Sequence, residues 1–116
     1  MMQLLVNYLT VAVSAEDAPT SWTASAPMHV RKAHLDTTAT KSTIFAVGGE
    51  DGAEEVATVQ MFNGTRWTAG PSLIEARSSL GVAVLGTKIY AVGGWSSVEQ
   101  KALSTVELLD AVTLKR

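Results

Sequence analysis

Two histidines, His29 and His34, stand five apart beside Arg31 and Lys32. Imidazoles bind metals and move protons. A metal site needs a third ligand, for which Asp36 is the nearest choice. A catalytic base needs a carboxylate spaced to orient it, and none has that spacing. The pair therefore reads as loop and strand-edge residues. Serines are plentiful, but none sits in a G-x-S-x-G turn. The sequence has no cysteine, which excludes a thiol nucleophile, a zinc–cysteine site and a disulfide framework. The acidic run Glu50-Asp51-Gly52-Ala53-Glu54-Glu55 lacks the alternating ligand spacing of a calcium loop. It reads as a solvated connection, with a surface for a basic partner as the alternative. Asn63-Gly64-Thr65 is a glycosylation sequon in a secreted chain and turn chemistry otherwise. No catalytic residue, metal ligand or cofactor is predicted, and the chain is expected not to be an enzyme.

The elements that hold these residues belong to a short chain. Its 116 residues make one domain at most. A hydrophobic share of 47% against 17% charged argues for a folded chain rather than a disordered one. The net charge of −2 provides no field to attract nucleic acid or an anionic membrane, so neither is expected as a partner. Apolar runs are far shorter than the roughly 20 residues that span a bilayer. With no cysteine, this composition leads us to expect a cytoplasmic protein. Met1 to Ala15 is apolar and ends Val13-Ser14-Ala15, like a signal-peptidase site. It has no basic residue at its start, however, and Asn7 and Tyr8 interrupt it.

Internal repetition is the dominant signal. Ile44-Phe45-Ala46-Val47-Gly48-Gly49 returns 45 residues later as Ile89-Tyr90-Ala91-Val92-Gly93-Gly94. Trp22 returns as Trp67, 45 later, and Arg31 as Arg77, 46 later. Thr58-Val59-Gln60-Met61-Phe62-Asn63 matches Thr105-Val106-Glu107-Leu108-Leu109-Asp110. Thr10 to Ala15 looks like an earlier copy, which explains the apolar start better than a leader does. The chain stops one residue before the next tryptophan would fall.

Short β-branched and aromatic runs bounded by glycine read as strands. Gly81 to Leu85 and Lys88 to Val92 flank a tight Gly86-Thr87 turn. The Thr-Val segments make a third strand and the tryptophan segments a fourth. Four antiparallel strands in about 45 residues are one propeller blade. Gly48, Gly49, Gly93 and Gly94 are then structural, allowing positive φ and close backbone approach. No phosphate-loop pattern surrounds them. Trp22 and Trp67 are expected to cover the face of their blades and pack on the next.

This ordered series resembles the kelch repeat: Ile-Phe/Tyr-Ala-Val-Gly-Gly, then Thr-Val-Glu-Leu-Leu-Asp, then Trp, then Pro-Ser-Leu-x-x-x-Arg-x-x-x-Gly-Val-Ala-Val-Leu. The resemblance covers about Thr10 to Asp110. Departures are present. His34 to Thr38 stand where the second repeat has Leu80 to Val84, so the first innermost strand looks degenerate. Asn63 and Ala15 replace the acidic Asp110, and Phe62 and Leu109 stand where the family has tyrosine. The implied fold is all-β, a partial kelch-type β-propeller of a little over two blades. Residues 1–9 would be an amino-terminal segment, read as the end of an earlier blade. Residues 10–25 would be outer strands of that blade, 26–70 the first repeat, and 71–116 a second repeat truncated before its last strand. The strand count expected is two, four and three. Such an arc cannot close alone and leaves strand edges and a blade face open. A fragment of a longer protein is the favoured reading, ahead of a ring of copies or a small open stack.

The resemblance implies a non-catalytic protein-binding scaffold. Kelch proteins of this kind serve as substrate adaptors for cullin-type ubiquitin ligases through an upstream BTB domain; actin binding is another family role. The alternative of a different class is a fragment of a kelch-propeller enzyme, a copper oxidase or sialic-acid epimerase-like protein. Missing cysteine and the absence of a Tyr/His cluster weigh against the oxidase. By position, a protein partner is expected at loops on one face: Pro27 to Lys32, Glu50 to Val56, Pro71 to Ser79 and Trp95 to Leu103. The residues expected to touch it are Arg31, Glu50, Asp51, Arg77, Trp95 and Ser96. Trp95 stands out as an aromatic in a polar loop, and Trp and Arg dominate interface energetics. For the arginines the competing reading is a structural hydrogen bond to loop carbonyls; for Trp95 it is packing over its own blade's edge.

Overall fold

The computed structural model describes residues 21–115, which hold nine short strands and no helix. β1 (Asp36–Ala39), β2 (Ile44–Val47), β3 (Val59–Phe62) and β4 (Trp67–Ala69) form an antiparallel meander in that order. β5 (Gly81–Leu85), β6 (Lys88–Val92) and β9 (Val106–Asp110) form a second, three-stranded one. β7 (Trp95–Ser96) and β8 (Lys101–Ala102) make a small hairpin between β6 and β9. The two meanders are copies. Ala46 pairs Thr37 and Gln60, as Ala91 pairs Val82 and Glu107. Gly86-Thr87 closes the β5–β6 turn, with Gly86 at φ +64°.

The core lies between the sheets. Alternation along the strands puts Phe45, Val47, Val59 and Met61 on one face of the first meander. Val82, Ile89, Ala91 and Leu109 share the opposing face of the second. Leu73 and Leu80 join them from the connecting segment. The fully buried Phe45, Val47, Val59, Leu80 and Ile89 each contribute about 1.5–3 kcal/mol, so the two blades hold each other. The innermost strands β1 and β5 meet where Val82 N–H donates to Asp36 Oδ2 at 2.8 Å. A void of about 30 Å³ remains between the sheets, room for about one water and not for a ligand.

Several expectations need correction. The second repeat carries three strands, but two others belong to the β7–β8 hairpin inside a segment expected to be plain loop. The outer strands placed at 10–25 are not seen at 21–25, where no strand forms and Trp22 stands fully exposed. A strand needs a paired neighbour, and no described residue pairs there. The strand expected at Thr10 to Ala15 and the leader-like start lie outside the described residues. The first innermost strand is not degenerate. Asp36 pairs Val47 as Gly81 pairs Val92, so the repeats align at 45, with Leu35 matching Leu80.

Candidate partner-binding face

The glycine doublets sit where two backbones cross. Ala33 and Glu50 exchange hydrogen bonds of 2.9 and 2.8 Å, as Ser78 and Trp95 do at 3.2 and 2.8 Å. A Cβ on Gly49 would lie 2.7 Å from Ala33 O, and on Gly94 2.7 Å from Ser78 O. Both glycines have positive φ, +101° and +108°. A side chain there would force the crossing segments apart. His34 and Ser79, one residue past each crossing, are themselves left-handed at φ 54° and 52°.

Arg77 is wholly buried. Nη1 donates to Gly93 O and Thr105 O, both 2.9 Å; Nη2 donates to Thr105 Oγ1 at 3.0 Å and Glu107 Oε2 at 2.9 Å. Glu107 also accepts from the Ile74 and Glu75 amides. Arg77 thus ties β6, β9 and the 74–77 segment together and offers nothing to a partner. Expecting it at the partner surface is corrected in favour of the structural hydrogen bond. Its counterpart is not Arg31 but Lys32, whose Nζ donates to Thr58 O at 2.9 Å. Gln60 does for the first blade what Glu107 does for the second. Its Oε1 accepts from the His29 and Val30 amides, and its Nε2 donates to Val30 O. The missed signal was available: Lys32 to Arg77 is 45 residues, the spacing of the glycines.

Arg31, Glu50 and Asp51 line one shallow cleft with Lys32, Ala33 and Gly52. His34 Nδ1 lies 3.3 Å from Glu50 Oε1. Two amides, from Ala53 and Glu54, hold the Asp51 carboxyl below the usual carboxylate range. In the second blade Trp95 is 42% exposed. Ser96 is buried, its Oγ accepting from Glu99 N at 3.1 Å, so it is a loop staple rather than a contact residue. Glu55 of the first blade reaches across, accepting from Ser97 N at 2.7 Å and Ser97 Oγ at 2.8 Å. The two loops therefore form one surface. Sequence reasoning missed Val98, 91% exposed in this hairpin, although an apolar residue amid Ser97, Glu99 and Gln100 is the same signal as Trp95.

Trp67 packs on Phe62 of its own blade, with ring centroids 5.0 Å apart, and donates Nε1–H to Ala26 O at 2.9 Å. It faces the 26–30 segment, on the side away from the following blade. No group of three His, Asp or Glu side chains is placed to hold a metal ion among the described residues. No helix of the described residues is long and apolar enough to cross a membrane.

A four-stranded unit and a three-stranded copy of it, packed face to face, define an all-β repeat protein, a part of a propeller. Residues 76–115 match the family model described as the Kelch motif, so the second blade is a kelch repeat and the fold a partial kelch-type β-propeller. No curated protein matches the chain.

Proposed function

We propose that the chain is a non-catalytic, cytoplasmic protein-binding scaffold whose contact surface is the loop pair joined by Glu55 and Ser97. The observation that carries this is Trp95 with Val98. Both are exposed, on a hairpin pinned to the neighbouring blade, where neither adds to the core. Kelch repeats generally serve as interaction scaffolds. Glu50, Asp51 and Glu54 beside this hairpin suit a partner segment with an apolar anchor and basic flanks. Recognition of substrates for a cullin-type ubiquitin ligase rests on the resemblance to kelch adaptors alone, as does actin binding.

The test is affinity capture with the immobilised chain, scored against Trp95→Ala/Val98→Ser and against Arg31→Ala. The loop double variant should lose at least tenfold of the captured partner while its circular dichroism is unchanged. Undiminished capture by a folded double variant places binding elsewhere.

A further inference from the structure

The first blade shows what this kind of sheet requires on the face that follows it. Val47 and Val59 are 3% and 5% exposed because the second blade covers them. Their counterparts Val92 and Val106 are 46% and 54% exposed, with Leu108 and Leu85 beside them. Polar groups repeat the contrast. Gly49 N–H donates to Arg77 O at 2.9 Å across the blades. The Gly94 N–H meets no acceptor among the described residues. Gly48 has Arg77 O, Leu80 and Leu73 against it; Gly93 has only the carbonyl of Leu103.

The opposite end of the chain carries the covering surface. Ile89, 4% exposed, seals the first blade; its counterpart Ile44 is 41% exposed. Ile44, Phe62, Met28 and Leu35 stand at the positions of Ile89, Leu109, Leu73 and Leu80. The backbone of 28–34 is arranged as that of 73–79, through Gln60 in place of Glu107 and Lys32 in place of Arg77.

We propose that the open face of the second blade is a seat for the leading face of a second copy of this chain, in a head-to-tail stack. The interface within the chain specifies the contacts. Gly94 N–H donates to the Lys32 carbonyl of the second copy, as Gly49 does to Arg77. His34 N–H of that copy donates to Ser79 O, as Ser79 N–H does to His34 O at 2.7 Å. Its Met28 N–H donates to Ser104 O, as Leu73 N–H does to Ala57 O at 2.8 Å. Such a contact uses different surfaces on its two sides, so it repeats until a ring closes or a filament grows. Two to four copies would supply roughly the four to eight blades with which propellers close.

Sedimentation of the full chain across a concentration series should give at least twice the monomer mass. Val106→Lys blocks the seat and Ile44→Lys the leading face; both positions face solvent in one chain, so both variants should keep the native spectrum. Each alone should be monomeric, and their mixture should form a one-to-one dimer from the intact seat of one and the intact head of the other. A second measurement uses the cysteine-free background: mixed Ser104→Cys and Met28→Cys chains should disulfide-link on mild oxidation. A monomeric wild-type chain, or an Ile44→Lys variant that associates as the wild type does, overturns the proposal. The loop surface proposed for partner binding is not altered by these substitutions, so its capture assay stands apart.

Discussion

Lys32 and Arg77 occupy the same place in successive blades, each sending its cation across the sheet end to the carbonyl that opens the third strand, Thr58 O or Thr105 O, at 2.9 Å. Their partners differ to match. The arginine meets the carboxylate of Glu107, whereas the lysine meets the carbonyls of Thr58 and Ala46, and the neutral amide Gln60 stands at the position of Glu107. A charged fork needs a buried anion, whereas one ammonium at a half-buried site is satisfied by carbonyls.

Arg77→Ala should therefore be among the most damaging single changes. It strands Glu107 and the Gly93 and Thr105 carbonyls inside the protein, at a cost of about 3–5 kcal/mol. Arg31→Ala, at an exposed position, should cost less than about 0.5 kcal/mol. Urea unfolding of the two variants checks this. Equal losses would sink the assignment of Arg77 as the interior tie.

The Lys32/Gln60 and Arg77/Glu107 pairs should be exchangeable as units. Lys32→Arg and Gln60→Glu each mismatch the first blade, while the double variant rebuilds the second blade's ion pair there. A double-mutant cycle should return a favourable coupling of about 1–3 kcal/mol. Additive effects would mean that the two positions do not meet.

Burial lowers Lys32 to a pKa of about 8. The unfolded chain keeps its lysine proton to higher pH, so between about 8 and the ordinary lysine value the unfolded state binds more protons. Stability contributed by this residue therefore rises with pH through that window. The urea midpoint of the wild type should climb relative to Lys32→Met from pH 7 to pH 10. A parallel pH course in both proteins would show that Lys32 titrates normally.

Gly48 and Gly93 share φ +63°, yet alanine should not cost the same at each. At Gly93 the backbone conformation exacts about 1–2 kcal/mol, and the new methyl meets only the Leu103 carbonyl, at 3.2 Å. At Gly48 the new methyl also lies 2.7 Å from Arg77 O, where the following blade must move. Gly48→Ala should be worse by about 1–3 kcal/mol, read from chemical denaturation. Identical losses would mean that the blades can separate freely.

Much of the fold was legible because it is periodic. The doubled Ala-Val-Gly-Gly and Thr-Val segments placed β2, β3, β6 and β9, since a glycine pair ends a buried strand wherever another backbone must cross. The β7–β8 hairpin was not legible. Its four residues, Trp95, Ser96, Lys101 and Ala102, carry no β-rich alternation and pair only because Ser78 and Glu55 hold the loop. Among the site residues, Trp95 could be singled out from its polar neighbours. Arg77 was expected at the surface from its loop position in the resembled repeat, because burial depends on the partners Gly93, Thr105 and Glu107, which lie 16 to 30 residues away.

The amino-acid sequence alone determined the repeat, its four-stranded unit and the positions where only glycine fits, because these follow from local alternation and backbone sterics. Tertiary structure alone decided which face of each sheet is sealed, which cation lies inside and which loop residues reach water. Those outcomes depend on the neighbouring blade: the same valine is core at position 47 and surface at position 92.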